Sequence, residues 1–325
     1  MKSVKKHILR NKNGDEVLLI NLGAGIASIR INMPEGPREI VLGHRDLEQY
    51  LTDTYYLGST VGRYANRING ATYFFDGEFI NLSANEGVNQ LHGGDPSFNK
   101  KFWTLDSSSN SVRAQYQLQS EDGDQGYPGT VLVAVTYSWS DDRVLTISYS
   151  GVTDKPTPLN LTNHSYFNLD PGQPPIDHHK ISITADFITE FNDDFTATGK
   201  FYDVLNGPLD LNSLTYVSDV LQSDHDLVSK ASGLDFNYVL SGNEAVATLT
   251  SASGDLSMGV STNYPGIQLY SGQYLGLPFS PNEGVCLEPQ FYPGSPNYQH
   301  FPNCMLMPGQ RYDKYIEFSF QINDH

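Results

Sequence analysis

The chain has 325 residues with 37 acidic against 20 basic side chains, a formal charge of −17. A field of that sign repels phosphate backbones and anionic membrane surfaces, so neither nucleic acid nor a membrane is expected as a partner. With 12% aromatics, 29 Gly and 18 Pro, the composition is that of a turn-rich globular protein and not a disordered one.

At the N-terminus, MKSVKKHILRNKNGDEVLLI holds lysines but no apolar run long enough for a signal peptide, and no transmembrane stretch follows. Cys286 and Cys304 are too few for a disulfide scaffold, so a reduced, cytoplasmic setting is expected. Leu47, Tyr50 and Leu51 follow Asp46 at helical spacing and predict a short capped helix. Asp76-Gly77 and Tyr127-Pro128-Gly129 mark turns. Val112, Ala114, Tyr116 and Leu118 alternate with Arg113, Gln115 and Gln117, and Val131, Val133, Val135, Tyr137 and Trp139 share one face. Both runs predict half-buried antiparallel strands.

Residues 161–169, LTNHSYFNL, read as a strand with Leu161, Phe167 and Leu169 inward and Thr162, His164, Tyr166 and Asn168 on a polar, aromatic-bearing face. Asn81, Asn160 and Asn163 each open an N-x-S/T pattern, which without an export signal is an accidental match. Segment 170–180, with Pro171, Gly172, Pro174 and Pro175, predicts a surface loop. Asn206-Gly207-Pro208 marks a turn, and Leu214, Val217 and Leu221 after Ser213 predict a second short helix. Beyond the turns at Pro293-Gly294 and Pro308-Gly309, Ile316, Phe318, Phe320 and Ile322 alternate with Glu317, Ser319 and Gln321. No linker or repeat interrupts the chain. The expectation is one all-β domain over residues 1–325, a large antiparallel β-sandwich with few short helices.

The chemistry is narrowed first by what the motifs exclude. His178 and His179 are adjacent and point to opposite sides of an extended chain; no HExxH or paired-Cys spacing appears, so no metal is expected. Nucleotide-binding glycine patterns and GxSxG are missing too, which leaves no cofactor or serine-hydrolase elbow to expect. What remains is six segments with polar residues set among apolar or Gly-rich neighbours: GRYANRING (62–70), QLHGG (90–94), LTNHSYFNL, GLDFNY (233–238), YPGIQLYSGQY (264–274) and VCLEPQ (285–290). Each has a structural alternative. A strand histidine can be a satisfied core residue, Arg63 or Arg67 can pair with Asp53 or Asp76, and Asp235 can cap a turn. Glu288 is the hardest to dismiss. Bordered by Leu287 and Pro289, its carboxyl should be partly desolvated, which raises its pKa toward that of a proton carrier near neutrality.

Taken in order, GRYANRING, LHGG, LTNHSYFNL, GLDFNY, PGIQLYSGQ and LEPQ resemble the aldose 1-epimerase (galactose mutarotase) family. The resemblance runs from about Leu18 to the closing PGQRYDKYIEFSF. It implies a galactose mutarotase-like supersandwich whose open cleft takes a free monosaccharide, with anomer interconversion needing no metal or cofactor. It also implies Glu288 as base on the C1 hydroxyl, starting ionised, His164 as acid on the ring oxygen, starting protonated, and His92 assisting. Arg67 and Asp235 would hydrogen-bond sugar hydroxyls, with Asn66 and Gln268 at the same pocket. Two departures from the family pattern stand out: Phe236 follows Asp235 where His is usual, and the run Tyr292–Asn297 differs. Three rivals remain. A glycosidase using Asp235 and Glu288 would leave both histidines idle. A hexose 6-phosphate epimerase would want more cations than Arg63 and Arg67. A sugar-binding module would keep the fold without the chemistry.

Overall fold

The computed structural model describes residues 3–170, 172, 174–242 and 244–323. The longest alternating runs build the largest sheet. Its nine strands lie in the order Thr104–Leu105, Arg113–Ser120, Val131–Trp139, Val144–Thr153, Tyr312–Ile322, Leu256–Thr262, Ala247–Thr250, Lys180–Ile183 and Thr215–Tyr216. Val131, Val133, Val135, Tyr137 and Trp139 are all buried, as are Ile316, Phe318 and Phe320 of the last strand, as period two predicts. Val112 departs from the expectation. It precedes the ladder, which begins at Arg113 opposite Ser138, and is exposed.

A second antiparallel sheet of six strands runs Tyr166–Phe167, Val285–Gln290, Gly266–Tyr270, Asp235–Val239, Phe187–Phe191 and Ala197–Asp203. Its apolar face meets the large sheet directly: the rings of Phe167 and Phe318 lie 4.9 Å apart, and Ile267, Leu269, Leu287 and Phe236 share one buried cluster with Val133 and Ile147. This sheet-on-sheet packing is the sandwich. A four-stranded sheet, Lys6–Arg10, Glu16–Ile20, Gly25–Met33 and Gly36–Glu39, adjoins it. The Tyr137 hydroxyl donates to the Ala24 carbonyl at 2.5 Å and the Trp139 indole to that of Asp15 at 3.1 Å, so large-sheet side chains satisfy carbonyls at its edges.

Helical structure is scarce. Asp46 does cap Leu47–Leu51, its side chain accepting the Glu48 N–H, but the turn is 3-10. Helix Val217–Leu221 begins later than Ser213 predicts, because Thr215–Tyr216 first pair with Lys180–Ile181. A second α-helix, Asp226–Ala231, had no counterpart among the predicted elements. Of segment 170–180, Pro171 and Gln173 lie outside the described residues, and the described part is not all surface: Ile176 is buried in the single turn Ile176–His178.

LTNHSYFNL is not one strand. Thr162–Asn163 pair with Thr60–Val61 and Tyr166–Phe167 pair with Val285–Cys286, with His164 and Ser165 in the break between the two ladders. All nine residues are buried. Its two asparagines survive burial because backbone carbonyls take their protons: the Asn163 amide donates to Gly58, and that of Asn168 to Pro174 and Glu283. Ser165 donates to Asn163 Oδ1 at 2.6 Å, while the Thr162 hydroxyl is buried without a hydrogen-bond partner among the described residues. Asn160 and Asn163 are both almost inaccessible, which closes two of the three glycosylation matches.

Candidate active site

Strand register sorts the six-stranded sheet into an apolar and a polar face. Glu288 lies opposite Gln268, Gln268 opposite Asn237, and Tyr270 opposite both Asp235 and Cys286. Residues paired across strands share a face, so these polar groups gather on one side. Leu287, Leu269 and Phe236, one residue out of phase, point into the core. The strand Val285–Gln290 is buried along its whole length, which places the Glu288 carboxyl in a protein interior.

A cleft of about 450 Å³ opens over the polar face. Glu288, His164, His92, Arg67, Asn66, Asp235 and Gln268, scattered over the sequence from Asn66 to Glu288, all line it. Arg63 does not. It is 2% exposed and donates to the carbonyls of Ser120, Glu121, Pro128 and Gly129 at 2.8 to 3.1 Å. Sequence reading missed Thr54, Tyr55, Tyr56, Glu86 and Phe195, which also line it, while Tyr274 closes the segment YPGIQLYSGQY without having been singled out. The first five carry no sequence signal beyond the Tyr55-Tyr56 pair and the Glu86-Gly87 turn.

His164 sits in the strand break, fixed by backbone hydrogen bonds. Its N–H donates to the Ser59 carbonyl at 3.0 Å, and its own carbonyl accepts the Gly58 N–H at 2.9 Å. Nε2 approaches Glu288 Oε1 to 3.8 Å, while Nδ1 lies 3.5 Å from the Cys286 sulfur. Tyr56 stacks on the ring at 5.8 Å with an interplanar angle of 23°. The His92 ring stands edge-on to His164 at 5.5 Å. Its orientation is set by a reciprocal pair: the His92 N–H donates to the Asn66 carbonyl at 3.1 Å, and the Asn66 N–H donates to His92 Nδ1 at 3.2 Å. Since Nδ1 accepts, the neutral ring carries its proton on Nε2. The LHGG glycines make this close approach feasible. Gly93 has φ +84°, and a Cβ there would stand 2.3 Å from the Gly62 carbonyl oxygen.

An amide relay holds the other polar groups. Asn66 Nδ2 and Gln290 Nε2 both donate to Gln268 Oε1, at 3.1 and 3.2 Å, and Gln268 Nε2 donates to Asp235 Oδ1 at 2.5 Å. Arg67 grips Glu86 through two parallel hydrogen bonds, Nε to Oε2 at 2.7 Å and Nη2 to Oε1 at 2.8 Å. Its guanidinium also covers the Phe195 ring at 5.1 Å.

Burial shapes the titration of the cleft. It pushes the Glu288 carboxyl well above the usual range, with the charge of Asp235 adding to the rise. It brings His164 down to about 4 and His92 well below an ordinary imidazole. Asp235 is also raised by burial, against the pull of Arg67 and Gln268. Burial thus favours a carboxylic acid beside a neutral imidazole. The carboxylate–imidazolium pair that the resemblance implies holds the same number of protons in the other arrangement. His164, Cys286 and Glu288 also bring one donor atom each within 4.8 Å of one another, a set chemically able to ligate a cation.

The family model described as aldose 1-epimerase matches residues 5–319 of this chain. The aldose 1-epimerase of Escherichia coli K12 is 37% identical over 326 residues, covering 96% of this chain and 94% of its own length. The chain belongs to the aldose 1-epimerase family. Galactose mutarotase of Homo sapiens is 34% identical over 317 residues, covering 94% of this chain and 90% of its own. Among solved structures, an aldose epimerase homologue from C. elegans superposes with a TM-score of 0.92 at 28% identity, over 99% of this chain and 100% of that one. The galactose 1-epimerase of Lactobacillus acidophilus gives 0.90 at 25% identity, over 99% and 96%. Aldose 1-epimerases are mutarotases, a class of isomerase; this chain has that activity, and membership implies a monosaccharide as substrate. Among the described residues, no helix is long and apolar enough to cross a membrane. The departure at Phe236 from the usual family residue stays outside the cleft lining, since Phe236 is buried against Phe191 in the core.

Proposed function

We propose that this aldose 1-epimerase interconverts the α and β anomers of free aldohexoses such as glucose and galactose, with Glu288 and His164 as its proton-transfer pair. The observation that carries this reading is the 3.8 Å approach of His164 Nε2 to Glu288 Oε1 in the cleft, two buried groups with titrations shifted in opposite directions. Ring opening removes the proton of the C1 hydroxyl, delivers one to the ring oxygen and breaks the bond between C1 and that oxygen. Rotation about C1–C2 and closure on the other face then invert the anomer. One proton leaves the sugar as another arrives, so the protein must hold one acceptor and one donor and return to its starting state on closure.

Sugar hydroxyls donating to Glu288 favour its carboxylate, and the displaced proton converts His164 to the imidazolium. Glu288 then takes the C1 hydroxyl proton while His164 protonates the ring oxygen. That step yields the acid–imidazole arrangement, which burial favours, alongside the open-chain aldehyde. His92, with its proton on Nε2, donates a hydrogen bond to the oxygen that changes charge. Arg67 and Asp235 hold hydroxyls remote from C1, and Asn66 and Gln268 keep Asp235 and Arg67 aligned.

Glu288→Gln and His164→Asn should each lose about 10²- to 10⁴-fold in turnover, the range for a positioned proton-transfer group. Polarimetry of freshly dissolved α-D-glucose and α-D-galactose reads this directly. A wild-type-like rate in either variant removes that residue from the pair.

A further inference from the structure

Among the described residues that line the cleft, Arg67 is the only Lys or Arg, against three carboxyl groups, Glu86, Asp235 and Glu288. Arg67 already has an anion. Its Nε/Nη2 edge, one of the two forks able to grip a carboxylate or phosphate in two parallel bonds, is taken by both oxygens of Glu86. Phe195 covers one face of the guanidinium. Glu86 reaches in from the rim: its side chain is 35% exposed, against 14% for Arg67. Its backbone is anchored by two N–H···O=C bonds exchanged with Asn89, at 3.1 and 2.9 Å. From the sequence, Arg67 and Glu86 are 19 positions apart with no pattern linking them.

We infer that Glu86 is a specificity-determining positioning residue: by occupying the Arg67 fork it reserves the cleft for uncharged aldoses and rejects anionic ones such as uronates and sugar phosphates. The inference rests on the acid–base reading above and narrows its substrate class. A neutral sugar needs only the remaining guanidinium hydrogens and the cleft carboxyls as hydroxyl partners, and is indifferent to the neutralised charge. An anionic sugar meets two further carboxyl groups and a guanidinium whose charge Glu86 already neutralises and whose Nε/Nη2 edge is taken. Burial opposes the charge on Arg67, but the Glu86 hydrogen bonds, together with the charges of Asp235, Glu86 and Asp194, more than offset it and keep the guanidinium ionised. Removing the Glu86 charge therefore leaves a buried cation in need of an anion, and an anionic substrate can supply it.

Full-length wild type and Glu86→Gln are compared by polarimetry on α-D-glucose, α-D-glucuronate and α-D-xylose, the last lacking the sixth carbon altogether. Each preference is a ratio of kcat/KM values within one sample, so a smaller folded fraction in the variant cancels out. Wild type should prefer glucose over glucuronate by about 100-fold, and Glu86→Gln should cut that preference about tenfold or more. The glucose-to-xylose ratio should move by less than about threefold, because neither sugar is charged. Equal use of glucose and glucuronate by wild type overturns the inference, as does an unchanged preference in Glu86→Gln. A wild-type protein that accelerates none of the neutral sugars fails differently, since it sinks the acid–base reading itself and this inference with it.

Discussion

Arg63 and Arg67 stand four residues apart in GRYANRING, and composition makes them equivalent. Their surroundings do not. Arg63 spends its donors on four backbone carbonyls of the 120–129 region and on the Ser120 hydroxyl, a set that only a planar, five-donor fork can satisfy at once. Burial lowers its pKa, opposed first by the nearby charge of Asp124. Arg63→Lys should strand several carbonyls and cost about 2 kcal/mol or more, seen as a fall of several degrees in Tm with the KM for glucose little changed. Arg67→Lys breaks the paired contact with Glu86 at the cleft and should raise that KM about tenfold, with a smaller effect on Tm. An Arg63→Lys protein of unchanged Tm and raised KM would reverse the two roles.

At the level of elements, alternation predicts the long strands because one face of each is buried and the other is not, and Val131–Trp139 and Tyr312–Ile322 follow that rule. It misreads LTNHSYFNL because both faces there are covered, so a polar side chain no longer signals solvent. What breaks the strand at His164 is a change of partner, from Thr60–Val61 to Val285–Cys286, and such long-range pairing leaves no local trace. The seven candidate site residues, all cleft-lining, were legible through their motifs. Glu86 and Tyr56 were not, because their contacts, the Arg67 fork and the His164 ring, come from tertiary packing. The LHGG turn shows the opposite case, where the sequence states its own geometry. Gly93 combines a left-handed φ of +84° with backbone of Gly62 pressed against it. Gly93→Ala should therefore cost about 1–2 kcal/mol in backbone strain alone, with the clash added. It should also shift His92 off the Asn66 N–H. Calorimetry and polarimetry should show a lower Tm and a slower reaction; a protein unchanged in both would mean that this turn can relax without cost.

For the whole molecule, the site is a burden on stability, and pH reveals its sign. Glu288 titrates higher folded than unfolded. Between the unfolded carboxyl value, 4.5, and its raised folded value, the unfolded chain has released a proton that the folded chain retains, so stability falls as pH rises through that window. His164 works from the other side. Its folded pKa of about 4 lies below the unfolded 6.5, so the unfolded chain takes up a proton first, and stability is lost as pH falls from 6.5 toward 4. Both slopes belong to the side chains proposed as the proton-transfer pair, and each should vanish with its residue. Relative to wild type, Glu288→Gln should gain stability between pH 5 and pH 8, and His164→Asn should gain it as pH is lowered from 7 to 4.5. A change of about 1 kcal/mol would appear as about 1.5 °C in Tm for a chain of this length. Calorimetric scans of the three proteins at pH 4.5, 6.5 and 8 separate the two effects. A Glu288→Gln gap that stays constant across the series would mean that this carboxyl titrates alike in the folded and unfolded chains, and the buried acid–imidazole pair would lose its physical basis.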